Sequence, residues 1–237
     1  MIRRVIFVLL AAAAVACEAL MASRRPGASP ALGESAFAAL GGLRSIAAEI
    51  VWFRADRLQD EGRFVELAQL ARTLAMMEPH TPEVWSYAAW NLAYNVSVMM
   101  PTPDDRWRWV RAALSLLRDD GLRLNPASAE LHRELAWLFQ LKFGTNLDSA
   151  ASAYRRHWRE TVADVASRNA WGELGMDPAL MAEVESRFGV DDRGDPQYSA
   201  IYWAYRGLPH ATGSDRSFLA EIIRQAKVIY DKGEFRR

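Results

Sequence analysis

Glu61-Gly62-Arg63-Phe64-Val65-Glu66-Leu67-Ala68, set within Ala48 to Pro79, decides the reading of the fold. A polar, helix-favouring run ends at Gly62, and an apolar-periodic run starts at once and stops at Glu78-Pro79. Glycine opens the backbone to a turn, and proline cannot continue a helix. The stretch therefore predicts a helix–turn–helix unit. A Pro-terminated unit recurs further on, so the chain reads as a stack of helical hairpins and the fold as all-α.

Composition supports a folded chain. Of 237 residues, 51% are hydrophobic and nine are Trp, which excludes disorder. Lys plus Arg and Asp plus Glu are both 29, so no global field attracts nucleic acid. Asn-Gly, Asp-Gly and Gly-Gly pairs are limited to Gly41-Gly42 and Asp120-Gly121, and β-branched alternation is scarce. The one cysteine, Cys17, can form neither an internal disulfide nor a zinc site.

Arg3-Arg4 precede an apolar run from Val5 to Cys17, which resembles a secretory signal. Ala14-Val15-Ala16 matches an A-x-A cleavage pattern, and Cys17 stands where a bacterial lipoprotein is acylated, with Ala14 in place of the usual Leu. Three outcomes stay open: lipidation at Cys17, cleavage and release, or retention of residues 1–22 as an anchor with Glu18 inside it. The reading favours a membrane-tethered domain on the exported side of a bacterial membrane, in the periplasm or cell envelope. Residues 23–42 follow as a linker, rich in Pro, Gly, Ser and Ala up to Gly33.

Residues 61–79 resemble the second half of a tetratricopeptide repeat, a 34-residue helical hairpin. Gly62 falls at the turn glycine, Phe64 at an aromatic position, Leu67 and Ala71 on the inner face, and Pro79 at the close. Counting from Pro79 puts Ala48 at the first position of one unit and Pro82 at that of the next. Trp85, Ala88, Ala89 and Leu92 then take the family's packing positions. Counting from Pro126 puts Ala129 at the start of a third unit, with Leu135, Ala136 and Phe139 in register. Leu40 to Arg44, Ala89 to Asn95 and Ile201 to Ala204 are also similar to uncharacterised bacterial repeat proteins associated with membranes. The resemblance implies a right-handed α-solenoid over residues 43–167, closed by a divergent helical cap over 168–237.

Within that frame the prolines between Ser97 and Pro103 break one helix, and the next carries Trp107, Val110, Ala113, Leu114 and Leu117 on one face and breaks at Asp120-Gly121. A further helix runs from about Leu147 to Ser167. Trp171 to Phe188 reads as one helical segment with Asp177 as a cap, and Asp191 to Pro196 as a solvated loop. Ser199 to Leu208 and Ser214 to Lys232 form a last hairpin, its second helix capped by Ser214 or Asp215.

The repeat family binds proteins or peptides on its concave face. The register places Trp52, Asp56, Trp90, Tyr94, Arg133, Trp137 and Gln140 there as candidate partner-binding residues. Each Trp is also a candidate for packing against its neighbours, Trp52 most of all. The family's carboxylate-binding pattern is not reproduced, since Asn91 and Asn95 miss its positions. His80, His132, His157 and His210 are dispersed with no metal-ligand spacing, and no catalytic, phosphate-binding or dinucleotide motif occurs. The basic and aromatic run Arg106 to Arg111 reads as one packed aromatic with solvated arginines. The sequence thus predicts a non-catalytic scaffold with no cofactor, metal, nucleic acid or small-molecule substrate, or else a small structural subunit integrated permanently in a larger membrane complex.

Overall fold

A computed structural model describes residues 53–55, 57, 58 and 60–233. Trp52, Asp56 and Cys17 lie outside the described residues, as do the signal and linker readings. The chain divides into two units, residues 1–61 and 62–237. The described part of the first is helical to residue 60, with Ala55 and Leu58 buried and Arg57 paired with Glu61 at 2.8 Å.

The second unit is all-helical; no strand occurs among the described residues. After the turn at Gly62, α1 (Phe64–Met77) buries Leu67, Ala68, Ala71, Leu74 and Ala75 at helical spacing. Helix α2 (Pro82–Trp90) starts with Pro in its first turn, where a missing N–H costs nothing. It continues as a π-helical segment (Asn91–Val96) and a 3-10 turn (Ser97–Met99), and ends where Met100 turns extended. Helix α3 (Pro103–Ser115) is capped by Thr102, whose Oγ1 accepts from the Asp105 N–H at 3.1 Å and donates to Asp105 Oδ2 at 2.7 Å. Thr102→Ala is expected to cost about 1 kcal/mol, read as a shift in the urea midpoint at unchanged slope.

The predicted break at Asp120-Gly121 is absent. Helix α3 passes through a π segment (Leu116–Gly121) and returns to α over Leu122–Leu124. Gly121 serves close packing instead of a turn: a Cβ there would meet Leu131 at 3.3 Å and Trp85 at 3.4 Å. Helix α4 (Ala129–Trp137), capped by Ser128, likewise becomes π-helical over Leu138–Phe143. Helices α2 and α4 start at Pro82 and Ala129, the two residues reached by counting from Pro79 and Pro126. Each has nine α-helical residues followed by six π-helical ones. The two prolines lie close to one contact: the Pro79 carbonyl accepts from Trp85 Nε1 at 3.0 Å and from Asn125 Nδ2 at 2.8 Å.

Helix α5 (Ala151–Ser167) starts four residues later than the sequence suggests, because the Asp148 carboxylate binds the Ala150 N–H at 2.8 Å and holds the preceding loop. Tyr154, Trp158, Val162 and Val165 form its buried face. Phe139, Phe143, Trp107, Tyr154 and Trp158 make one aromatic cluster between α3, α4 and α5, with ring centroids 4.7 to 6.5 Å apart.

The region read as one segment from Trp171 is two elements. A 3-10 turn (Trp171–Leu174) ends at the left-handed Gly175, and α6 (Pro178–Phe188) follows with Asp177 as its cap. The loop after α6 is anchored, not solvated. Asp195 is buried and caps α7 (Pro196–Gly207), Asp192 pairs with Arg159, and the Tyr230 hydroxyl accepts from the Asp191 and Asp192 N–H groups. Helix α7 is the largest departure from the expected cap. It buries every residue from Pro196 to Ala204 and packs against α4, α6 and α8 (Gly213–Lys232), so it lies inside the core. The cap residue of α8 is Thr212, with no side-chain capping bond, in place of Ser214 or Asp215.

Candidate functional site

The candidate partner-binding residues fall into two places. Arg133, Trp137 and Gln140 face α8. Arg133 pairs with Asp215 at 2.6 Å, Trp137 packs on Phe218 with centroids 5.1 Å apart, and the buried Gln140 donates to Gln225 at 3.2 Å. Helix α8 therefore covers that part of the expected groove. Trp90 and Tyr94 lie apart on α2, their rings 5.9 Å from each other. Trp90 is 45% exposed, and Val98 and Met99 continue the apolar surface towards the end of the helix.

Tyr94 also lines a cavity of about 470 Å³, together with Val98, Arg106, Leu141, Lys142, Leu147, Asp148 and Ser149. Two π-helical segments shape it: one carries Tyr94 and the other carries Leu141 and Lys142. A π turn shifts the phase of the side chains that follow, which is one way such segments bring polar groups to otherwise apolar faces. The third wall is the loop after Gly144. Arg155 fastens it by donating to the Phe143 and Thr145 carbonyls at 2.8 and 3.0 Å and to Asn146 Oδ1 at 2.9 Å. Leu147, at the mouth, is 83% exposed.

The floor is ionic. Lys142 is only 4% exposed, and its Nζ lies 2.6 Å from Asp148 Oδ2. The ammonium also stands 4.9 Å from the Tyr94 ring centre and 5.8 Å from that of Tyr154. Asp148 is fully engaged: it accepts from Ala150 N–H and from the Tyr154 hydroxyl at 3.3 Å, and Arg106 Nη1 lies 3.6 Å away. Arg106 is held in turn by the Met100 carbonyl at 3.0 Å and Ser149 Oγ at 3.2 Å. Burial lowers Lys142 from the ordinary lysine range, against the pull of Asp148. Burial raises Asp148, but hydrogen bonds from Lys142 and the Ala150 N–H outweigh it and hold the carboxyl below its usual range. The pair is thus an ammonium against a carboxylate, and it supplies charge and donors, not a free amine. The Tyr94 hydroxyl is buried and makes no hydrogen bond, and burial and the nearby Glu134 and Asp148 carboxylates push it far above the usual tyrosine range.

Sequence reasoning missed Arg106, Lys142 and Asp148. Arg106, expected to be solvated, reaches into the cavity. Lys142 had a signal: the chain holds three lysines, and this one interrupts the apolar run Leu138-Phe139-Gln140-Leu141-Lys142-Phe143. The histidines, dispersed in sequence, are not all apart in space. His132 and His210 stack 5.8 Å apart, and His157 stacks on Trp107 while contacting Asp104 at 2.8 Å. Among the described residues no group of three or more His, Cys, Asp or Glu is placed to hold a metal ion, and no helix is long and apolar enough to cross a membrane.

The chain matches no protein-family model, no curated protein and no solved structure.

Proposed function

We propose that this protein is a non-catalytic scaffold that holds a protein or peptide partner on the face of α2 carrying Trp90, Tyr94, Val98 and Met99. The observation that carries the reading is the exposed apolar strip itself: Trp90, Val98 and Met99 are each about half exposed on one short stretch of helix. Large apolar residues grouped on a surface mark interaction sites, and Trp and Tyr dominate the energetics of such contacts. The equivalent starts and π segments of α2 and α4 support a tetratricopeptide-like repetition, with Trp90 and Trp137 at matching positions. On α4 the protein's own α8 already covers the matching face, so α2 is the part left for a partner. In this reading the N-terminal segment, through Cys17 or as an anchor, keeps the domain at a bacterial envelope membrane.

A photo-crosslinking amino acid at position 99 tests it in cells. One discrete protein adduct is expected, reduced by Trp90→Ala in a variant of unchanged helicity, as the loss of about 2 kcal/mol at a hot spot would do. A diffuse smear, or an adduct indifferent to Trp90→Ala, would sink the reading. The second reading, a permanently integrated subunit, predicts instead a stoichiometric partner that survives high salt in mild detergent.

A further inference from the structure

The cavity beside α2 has a chemistry of its own. Two cations, Lys142 and Arg106, share the single carboxylate of Asp148. Beyond the lining, Glu134 stands near the Tyr94 hydroxyl, and Arg133 on the same helix meets two carboxylates, Glu134 at 3.2 Å and Asp215 at 2.6 Å. Among the residues that line the cavity, Lys142, Arg106 and Asp148 leave one surplus positive charge in a partly enclosed space, an arrangement that a bound monoanion relieves. Donors are in place for it. Lys142 has N–H groups beyond the one facing Asp148, Arg106 presents a guanidinium edge, and the Tyr94 hydroxyl is buried without a partner. Val98, Leu141 and Leu147 make the rest of the wall apolar, and the exposed Leu147 extends that wall outward.

We propose that this cavity binds a free fatty acid, with the carboxylate against Lys142, Arg106 and the Tyr94 hydroxyl and the chain along Val98, Leu141 and Leu147. Charge selects the head group: a carboxylate cancels the surplus, whereas a phosphate dianion leaves a net negative charge in the site. The apolar wall selects the tail, since a small hydrophilic carboxylate would leave it wet. The site shares Tyr94 and Val98 with the docking strip but needs no protein partner to fill it. Trp90 belongs to the strip and does not line the cavity.

Calorimetric titration of the full-length protein with decanoate, below its micelle concentration at neutral pH, tests the assignment. Saturable binding at one site is expected. Decanol should bind about tenfold more weakly, the factor expected for loss of a charge-assisted contact. Decyl phosphate should also be weaker, and decylammonium should not bind. Leu147→Asp, at a position too exposed to disturb folding, should weaken decanoate about tenfold. Tyr94→Phe removes only the hydroxyl and should weaken it several-fold with helicity intact. Lys142→Met should abolish binding; if that variant fails to fold, the other two decide. Met76→Ala, exposed on α1 and outside both the cavity lining and the strip, should leave decanoate affinity unchanged; the titration needs no protein partner, so its failure and that of the docking strip are read separately. Absence of saturation, equal affinity for decanol, tighter binding of decyl phosphate, or indifference to both Leu147→Asp and Tyr94→Phe would each overturn the proposal.

Discussion

Gly144→Ala is expected to destabilise the folded protein by about 3 kcal/mol. A Cβ at this position would sit 1.9 Å from Gln197 Nε2 and 2.7 Å from the Gln140 carbonyl oxygen. The first neighbour is the end of a side chain and could move; the second is backbone and could not. Moving Gln197 also has a cost. Its Nε2 donates to the Gly144 carbonyl at 2.8 Å and to that of Gln140 at 3.3 Å, both at the end of the π segment of α4. Swinging the amide away leaves buried carbonyls unpaired, in a place where the Gln197 Oε1 already lacks a donor. Overpacking of this kind costs about 1–3 kcal/mol and an orphaned buried polar group about as much again. A fall in the melting temperature of roughly 10 °C should accompany it in a chain of this size. Gly172→Ala is the control, because a Cβ there meets nothing within 4 Å. Its stability should stay within about 0.5 kcal/mol of the parent in urea titration. Equal stability for both variants would show that Gln197 does not tie α7 to α4.

Gln197 also illustrates how much of the fold could be read in advance. Helix starts were readable where one residue type settles the local backbone. Pro82 and Pro103 open helices, the chain turns at Gly62, and Asp177 caps α6. The buried face of α3 was readable because Trp107, Val110, Ala113, Leu114 and Leu117 recur at helical spacing, and all five are buried. The π segments were not readable. A template of 3.6 residues per turn has no place for them, and nothing local marks Asp120-Gly121 as a continuing helix. The central position of α7 had a signal that periodicity alone overlooks. Tyr198, Ile201, Tyr202 and Trp203 spread bulk around the whole helix, as expected of one enclosed on every side. Its polar tips betray the same enclosure: the Tyr202 hydroxyl accepts from the Asp177 N–H at 2.8 Å, and that of Tyr198 donates to Glu185 at 3.1 Å.

The candidate site divides along the same line. Trp90 and Tyr94 could be found by counting along one helix. The closure of the Trp137 face by α8 could not, because Arg133 and Asp215 or Gln140 and Gln225 are brought together only by tertiary folding. Lys142 and Asp148 are near in sequence, yet their meeting depends on a loop pinned by Arg155 from the next helix.

Acidification from pH 7 to pH 4 is expected to remove about 3 kcal/mol of stability through one residue, His132. The side chain is 1% exposed, its Nδ1 lies 2.8 Å from the Ser128 carbonyl, and its ring lies 6.1 Å from that of Trp203. A ring so placed carries its proton on Nδ1 and stays neutral. Burial lowers its pKa from 6.5 to about 4, the Ser128 contact opposes the shift, and the nearby Arg206 and His210 assist it. Between pH 6.5 and pH 4 the unfolded chain takes up a proton that the folded chain refuses. Stability is therefore unaffected by this group above pH 6.5, declines as pH falls below it, and reaches the full loss below about pH 4. Asp148, held below the usual carboxylate range, loses its contribution only at still lower pH, outside the window. Glu134, raised by burial, works in the opposite sense near the acid end, so the parent curve alone does not isolate His132. Comparison with His132→Gln does. Urea titrations of both proteins at pH 7, 5.5 and 4 should show the parent losing about 3 kcal/mol relative to the variant across that range, whatever the variant's baseline. Parallel curves would mean that His132 takes up its proton as readily in the folded chain as in the unfolded one, and that the packing of α4 against α7 is open enough to admit water.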